Sequence, residues 1–287
     1  MEYKLQFADV VFHILSEREI ELEPELQPFL AAKTKPADIT VQVSWEWEHA
    51  KLPDSDRAGE DLLSYYYIEG AERFCVTRGG PKGAVACTRY NGDLSEVVCT
   101  YNEKPFPMLP NTMGSLMRML PMREIFQHFQ TLFLHASQIA LRGKGILFTA
   151  PSGTGKTTQA KLWKQYRGAE IICNDRTLTR KLDGVWHTYG YPIDGSEPVR
   201  SEQVNRLGCV VLLRQGLTNT IQRLPPAKAV SLLMRQVVFD TWSGTARATA
   251  MQQLLSLVED IPVLLLTCTP DERAVETLEQ KLKEIED

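Results

Sequence analysis

The sequence predicts a β-rich N-terminal domain followed by an α/β domain. Three observations predict it: period-two alternation with turn-rich spacers over residues 1–101, strands alternating with helices from residue 131 onward, and the run LFTAPSGTGKTTQAKLW at 147–163, which reads as a strand, a small-residue loop and a helix start. At 287 residues, with 43% hydrophobic and 24% charged residues, the chain is long enough for one large or two medium domains.

In DITVQVSWEWE, Val41, Val43, Trp45 and Trp47 alternate with Gln42, Ser44, Glu46 and Glu48. That puts the apolar set on one face of a half-buried strand. The runs RFCVTR, AVACTRY and EVVCTY are separated by GGPKG and NGD, spacers of the kind that join antiparallel strands. Cys75, Cys87 and Cys99 recur every twelve residues within these runs, an interval that consecutive hairpin strands produce without any metal. NEKPFPMLPN at 102–111 holds three prolines and reads as a linker. Met113 to Gln130 reads as helix, split at Pro121. The expected organisation is therefore a β-rich domain at 1–101, a linker and helix at 102–130, and an α/β domain at 131–287.

Beyond 131 the expected strands are LFLHASQIAL, GILFTA, AEIICND, GCVVLL and PVLLLT. Helices are expected from Gly155 to about Tyr166, around 226–239 and 246–258, and from Asp271 to the end. This alternation implies a sheet with helices packed on it.

A formal net charge of −4 and the lack of a Lys/Arg run argue against a nucleic-acid-binding surface, because phosphate backbones are gripped by clustered cations. The start MEYKLQFADVVFHILSERE has neither the basic n-region nor the apolar run of a secretory signal, so it reads as mature sequence. The longest apolar runs are too short to span a bilayer. Cys75, Cys87, Cys99, Cys173, Cys209 and Cys268 form no C-x-x-C pair, which fits reduced thiols in the cytoplasm.

Ala150 to Thr157 fits the Walker A pattern G-x-x-x-x-G-K-[ST] except at its first glycine. Alanine is tolerable there if its φ is negative, while Gly153 and Gly155 stand where the backbone bends without a Cβ. The backbone amides of Ser152, Gly153, Thr154, Gly155, Lys156 and Thr157 form an expected anion nest at a helix N-terminus. Lys156 is placed to reach the β- and γ-phosphates of ATP, Thr157 to offer its hydroxyl to Mg²⁺, and Thr158 to lie nearest the α-phosphate. EIICNDR then ends a strand in Asn174, Asp175 and Arg176, which turns Asp175 toward the γ-phosphate side of Lys156. Asp175 either takes the acceptor's proton or holds Mg²⁺.

LHASQIALRGKGILFTAPSGTGKTT…AEIICNDR resembles the catalytic domain of bacterial HPr kinase/phosphorylase, in which a His-bearing strand, the P-loop strand and an Asp-Asp-Arg segment follow in this order. The core is shared with ATP-dependent phosphoenolpyruvate carboxykinases, whose loop is similar to SGTGKTT. The resemblance is clearest over 132–180, extends to about 270 and does not cover 1–110. It implies an α/β P-loop kinase domain of the HPr kinase/phosphoenolpyruvate carboxykinase type, with ATP and Mg²⁺ as cofactors. Lys156 and Thr157 then take the phosphate and metal roles, His135 matches the family's histidine, and Asp175 matches the second of its paired aspartates. Asn174 stands in place of the first, which removes one carboxylate from the phosphorylase machinery. The later glycine-containing signature has no clean match; its nearest counterpart is YGYPIDGSEP at 189–198.

The function expected is transfer of the γ-phosphate of ATP to a hydroxyl, on a peptide or carrier protein in preference to a small molecule. The alternatives are an ATP-binding regulatory switch and a small-molecule kinase. No membrane or nucleic-acid partner is expected, and the oligomeric state is left open. Asp194 and Ser196 are further candidates for metal or acceptor contact, and Arg235 and Arg247 for charge stabilisation. Lys161 and Lys164 read as a solvated helix face.

Overall fold

The computed structural model describes residues 1–107, 112–193 and 201–286. It divides into two compact units, Met1–Phe129 with Asp240–Ala246, and Gln130–Phe239 with Arg247 onward. The fold is mixed α/β with two large sheets.

The first unit holds β1 (Glu2–Phe7), β2 (Val10–Ser16), β3 (Ile39–Ser44), β4 (Arg57–Glu60), β5 (Ser64–Glu69), β6 (Glu72–Arg78), β7 (Ala84–Asn91) and β8 (Val97–Tyr101), then α1 (Met113–Met119) and α2 (Met122–His128). The strands form one sheet in the order β1-β2-β3-β8-β7-β6-β5-β4, with β3 parallel to both β2 and β8. The antiparallel run β6-β7-β8 is the hairpin series expected from the spacers. Cys75 and Cys99 both lie opposite Thr88, whereas Cys87 is one residue away on β7 and faces the other side. All six cysteines of the chain are buried thiols outside any disulfide.

The strand expected through Trp47 stops at Ser44. Trp45 leaves the alternation to stack on Tyr101, ring centroids 6.0 Å apart, and Trp47 opens a short 3₁₀ turn. The helical stretch breaks at Pro121, as proline's missing N–H requires, and both α1 and α2 belong to the first unit. Residues 108–111 of the expected linker lie outside the described residues.

A partly buried ionic group ties this unit together. Arg123 of α2 reaches Asp61 at 2.7 Å and Asp240 at 3.2 Å, and the Tyr66 hydroxyl donates to Asp61. Asp240 is 4% exposed, and burial raises its carboxyl pKa against the pull of Arg123. Arg123→Met is expected to destabilise the unit by roughly 2–4 kcal/mol, since one cation is taken from two carboxylates. The sign with pH follows from the raised value. Stability from Asp240 is complete below the ordinary carboxylate range and is lost as pH rises through its folded value, so the variant's deficit should shrink on acidification. Urea melts of wild type and variant at neutral pH and near pH 5 check both statements; a pH-independent deficit would refute the second.

The second unit holds β9 (Thr131–Leu141), β10 (Lys144–Thr149), α3 (Lys156–Arg167), β11 (Glu170–Cys173), β12 (Arg176–Leu182), β13 (Val185–Gly190), β14 (Asn205–Gln215), β15 (Thr220–Arg223), α4 (Pro226–Leu233), α5 (Gly244–Asp260) from Arg247 onward, β16 (Val263–Cys268) and α6 (Glu272–Glu286). Strands β10, β14 and β16 are parallel neighbours, and β9 runs antiparallel to β10. Side chains alternate between two cores. Leu147, Val210 and Leu212 pack with residues of α4 and α5, while Ile146, Phe148, Val211 and Leu213 pack with α3 and α6. Both faces of this sheet are thus covered, which explains its near-continuous apolar strands.

Strands β12, β13 and β15 were not expected. β12 and β13 are joined at Asp183 (φ +49°) and Gly184 (φ +79°), a two-residue turn of the Asp-Gly type that favours hairpins. The helix expected over 226–239 ends at Leu233. Val237 instead bridges Leu134, and the carbonyl of Gln236 accepts from the His135 N–H at 2.8 Å. No helix among the described residues is long and apolar enough to cross a membrane.

The strands β10, β9, β12, β13 and β14 close on one another in a ring, because β14 pairs with both β13 and β10. Close approach at this junction requires a glycine. A Cβ on Gly145 would lie 2.3 Å from Thr188 Cγ2. Gly145→Val is therefore expected to cost about 1–3 kcal/mol by overpacking, read as a lowered denaturation midpoint.

Candidate functional site

The site grows from the end of β10. After Thr149 the chain turns through Ala150–Gly155 and enters α3 at Lys156. Gly153 (φ +77°) and Gly155 (φ +114°) adopt the left-handed region, and neither meets a neighbour that its missing Cβ would strike. Glycine serves conformation here, not space. Ala150 has no positive φ, and its methyl is fully buried in the core beneath α3, so alanine replaces glycine without strain.

Ser152 and Thr158 are exposed, and Thr154 and Thr157 are half-buried. The loop thus presents an open concavity at the N-terminus of a twelve-residue helix, whose first amides have no intrahelical partners. Lys156 is only 7% exposed, and its ammonium donates to the Ala150 carbonyl at 2.9 Å. Burial lowers its pKa; the nearby Asp175 charge opposes that, and Arg176 adds to it.

Asp175 lies where β11 passes into β12. Both strands pair with β9, but the register shifts at Cys173 and resumes at Arg176, leaving Asn174 and Asp175 as an irregularity beside the middle of β9. The bend is pinned from β9: Ser137 Oγ donates to the Asn174 carbonyl at 2.7 Å, and the Ala136 N–H donates to that of Asp175 at 3.1 Å. Asp175 Oδ1 consequently meets His135 Nε2 at 3.0 Å, and Oδ2 meets Arg176 Nε at 3.5 Å.

His135 is held in turn by its backbone. Its carbonyl accepts from Thr149 Oγ1 at 2.8 Å, so the histidine is tied to the residue that opens the loop. The hydrogen bond from His135 is the first cause holding the Asp175 carboxyl below its ordinary pKa; burial opposes it, and Arg176 and Lys156 reinforce it. The side chains of His135, Asp175 and Arg176 are 27%, 33% and 30% exposed, so the dyad is open to solvent.

The structure therefore brings Lys156, His135 and Asp175 into one electrostatic neighbourhood. Asn174 is 5% exposed, a neutral side chain where a carboxylate would carry a heavy desolvation cost. Arg235, beyond α4, and Arg247, within α5, are exposed. Lys161 is exposed and Lys164 likewise, both on α3. Asp194 and Ser196 lie outside the described residues. Among those described, no group of three or more His, Cys, Asp or Glu is placed to hold a metal ion.

Sequence reasoning missed the other side of the loop. A cleft of about 550 Å³ is lined by Gly153, Thr158, Gln159, Gln215, Cys268 and Thr269, among others. Gln159 is 3% exposed; its Nε2 lies 3.4 Å from Cys268 Sγ, and its Oε1 has no hydrogen-bond partner among the described residues. Gln215 Nε2 reaches the carbonyls of Gly153 and Thr154 at 3.4 and 3.5 Å. Gln159 sits two residues after the motif, but only packing shows that it lines this cleft.

No curated protein matches the chain in a comparison of sequences. Among solved structures, the chain is similar to the Hpr(Ser) kinase/phosphatase from Coxiella burnetii at 12% identity and a TM-score of 0.34, over 54% of this chain and 99% of that one. Residues 97–283 match the family described as SynChlorMet cassette protein ScmC, and the chain belongs to that family.

Proposed function

We propose that this protein is an ATP-dependent phosphotransferase that moves the γ-phosphate to a hydroxyl on a peptide or protein. The observation that carries the reading is the pairing of a helix-opening anion loop with a solvent-open His135–Asp175 dyad coupled to Lys156. The features that support nucleotide phosphates at the loop are two glycines at positive φ, a helix N-terminus at its end and one buried ammonium that would neutralise charge. In this reading the nucleoside would occupy the cleft around Gln159, beside the loop.

With Asp175 as the base, Thr157 is the residue that would hold Mg²⁺, which on binding would supply charge neutralisation between the phosphates. In the transfer, the acceptor oxygen forms a bond to the γ-phosphorus as the bridge to the β-phosphate breaks, and the acceptor's proton passes to Asp175. Lys156 stabilises charge on the oxygens being transferred. His135 holds the carboxylate's orientation. A dyad about one-third exposed suits an acceptor carried on a polypeptide better than a small molecule enclosed by the site.

The test supplies the full chain with γ-labelled ATP, Mg²⁺ and a host-cell extract, alongside Lys156→Ala. Label entering a protein or peptide only with the intact lysine supports the proposal. Label that stays on ATP, with ATP bound stoichiometrically, would replace it with a nucleotide-responsive switch, and a low-mass labelled product would replace it with a small-molecule kinase.

A further inference from the structure

Arg176 opens β12 directly opposite His135 on β9, and Leu178 lies opposite Phe133, so His135, Phe133 and Arg176 share one face of the sheet. The Asp175 carboxylate stands between the cross-strand pair, with Oδ1 3.0 Å from His135 Nε2 and Oδ2 3.5 Å from Arg176 Nε. The second distance is too long for a charge-assisted hydrogen bond, which runs to about 2.7–2.9 Å, and it involves one nitrogen and not the two-pronged edge of the guanidinium. Nε is enclosed and has no hydrogen-bond partner among the described residues. Nη1 and Nη2 likewise bond to no described residue, but unlike Nε they are not enclosed, and the side chain as a whole is 30% exposed.

An aromatic shelf supports this open edge. The guanidinium carbon lies 5.7 Å from the centroid of the Phe133 ring, and Phe133 meets Tyr191 edge to face at 4.9 Å. The two aromatic residues are 5% and 3% exposed, so the shelf is fixed by packing. Charge points the same way. Lys156 and Arg176 act as two cations on the one carboxylate of Asp175, and Arg176 adds to the lowering of the Lys156 pKa. Two cations sharing one carboxylate leave an excess of positive charge that an incoming anion relieves. We propose that Arg176 is a further catalytic residue, whose Nη groups meet the oxygens of the phosphoryl group as it passes from ATP to the acceptor. The inference rests on the proposed phosphotransfer. An acceptor oxygen that gives its proton to Asp175 while bonding to the γ-phosphorus brings the phosphoryl oxygens beside Asp175, where the guanidinium stands. As the bond to the acceptor forms and the bridge to the β-phosphate breaks, Arg176 keeps its protons and neutralises the spreading charge. Its planar fork can meet two oxygens at once, which complements the point charge of Lys156.

Calorimetry with Mg²⁺ and ADP, and with aluminium fluoride added, separates the bound nucleotide from the group in flight, because the fluoride complex imitates a phosphoryl in transfer. Wild type is expected to bind ADP with aluminium fluoride on the order of a hundredfold more tightly than ADP alone. Arg176→Gln should bind ADP as wild type does yet lose most of that gain. Its transfer rate should fall on the order of a hundredfold with little change in the KM for ATP, a split that a merely structural role would not produce. Arg176→Lys keeps the charge without the fork, should recover only part of either loss, and carries the test if Arg176→Gln does not fold. An equal aluminium fluoride gain and equal transfer in wild type and variant would overturn the role of Arg176 and leave phosphotransfer standing. Wild type that moves no label from ATP would end the phosphotransfer reading and this inference with it.

Discussion

Lys156→Ala is expected to lower phosphotransfer on the order of a hundredfold to a thousandfold, the loss that follows removal of one preorganised donor to developing charge. The fold should survive. The ammonium makes one hydrogen bond, to the Ala150 carbonyl, and is 7% exposed, so its truncation forfeits about 1 kcal/mol while relieving a buried cation. Lys156→Arg should fail as well, because a planar guanidinium does not fit the space of a compact ammonium. Transfer rates and denaturation midpoints measured on the same preparations separate the two effects. Wild-type turnover by Lys156→Ala would remove the loop from the chemistry.

Under the proposed function, Asp175→Asn is expected to reduce transfer about 10²–10⁴-fold while nucleotide binding changes little, because the proposed base acts on the acceptor and not on the bound nucleotide. The pH profile gives a sharper check. Asp175 is held below its ordinary pKa chiefly by the bond from His135, so the acidic limb of the rate profile should lie below the ordinary carboxylate range. His135→Ala removes that bond and should move the limb upward. The same shift has a stability side: with the folded value depressed, Asp175 contributes above the ordinary carboxylate pKa and loses that contribution as pH falls through its folded value. A limb that stays in place in His135→Ala would reassign the base.

The loop was legible because local sequence fixes it. Glycines 153 and 155 set the left-handed turns, and Lys156 starts the helix, whatever packs around them. The hairpin series carrying Cys75, Cys87 and Cys99 was legible for the same reason, through its turn residues. Asp175 could be placed near the loop from its position at a strand end, but its partner could not be deduced by pattern. His135 is one histidine on an eleven-residue strand, and what aims it at Asp175 is the shifted register of β11 and β12 on β9.

Extended elements failed where tertiary contacts overrode periodicity. Trp45 kept the alternation in sequence yet left the strand to stack on Tyr101, and the helix expected through residue 239 gave way at 236–238 to pairing with β9.

The sequence by itself determined the glycine turns that open α3, the α/β alternation around them and the choice of Lys156 and Asp175 as candidates, because turn chemistry and side-chain period act over a few residues. Only the tertiary structure decided the His135–Asp175 contact, the cleft at Gln159 and the pairing of Arg176 with His135. Each joins residues far apart in the chain, and their meeting is set by strand register and helix packing, which no short stretch of sequence encodes.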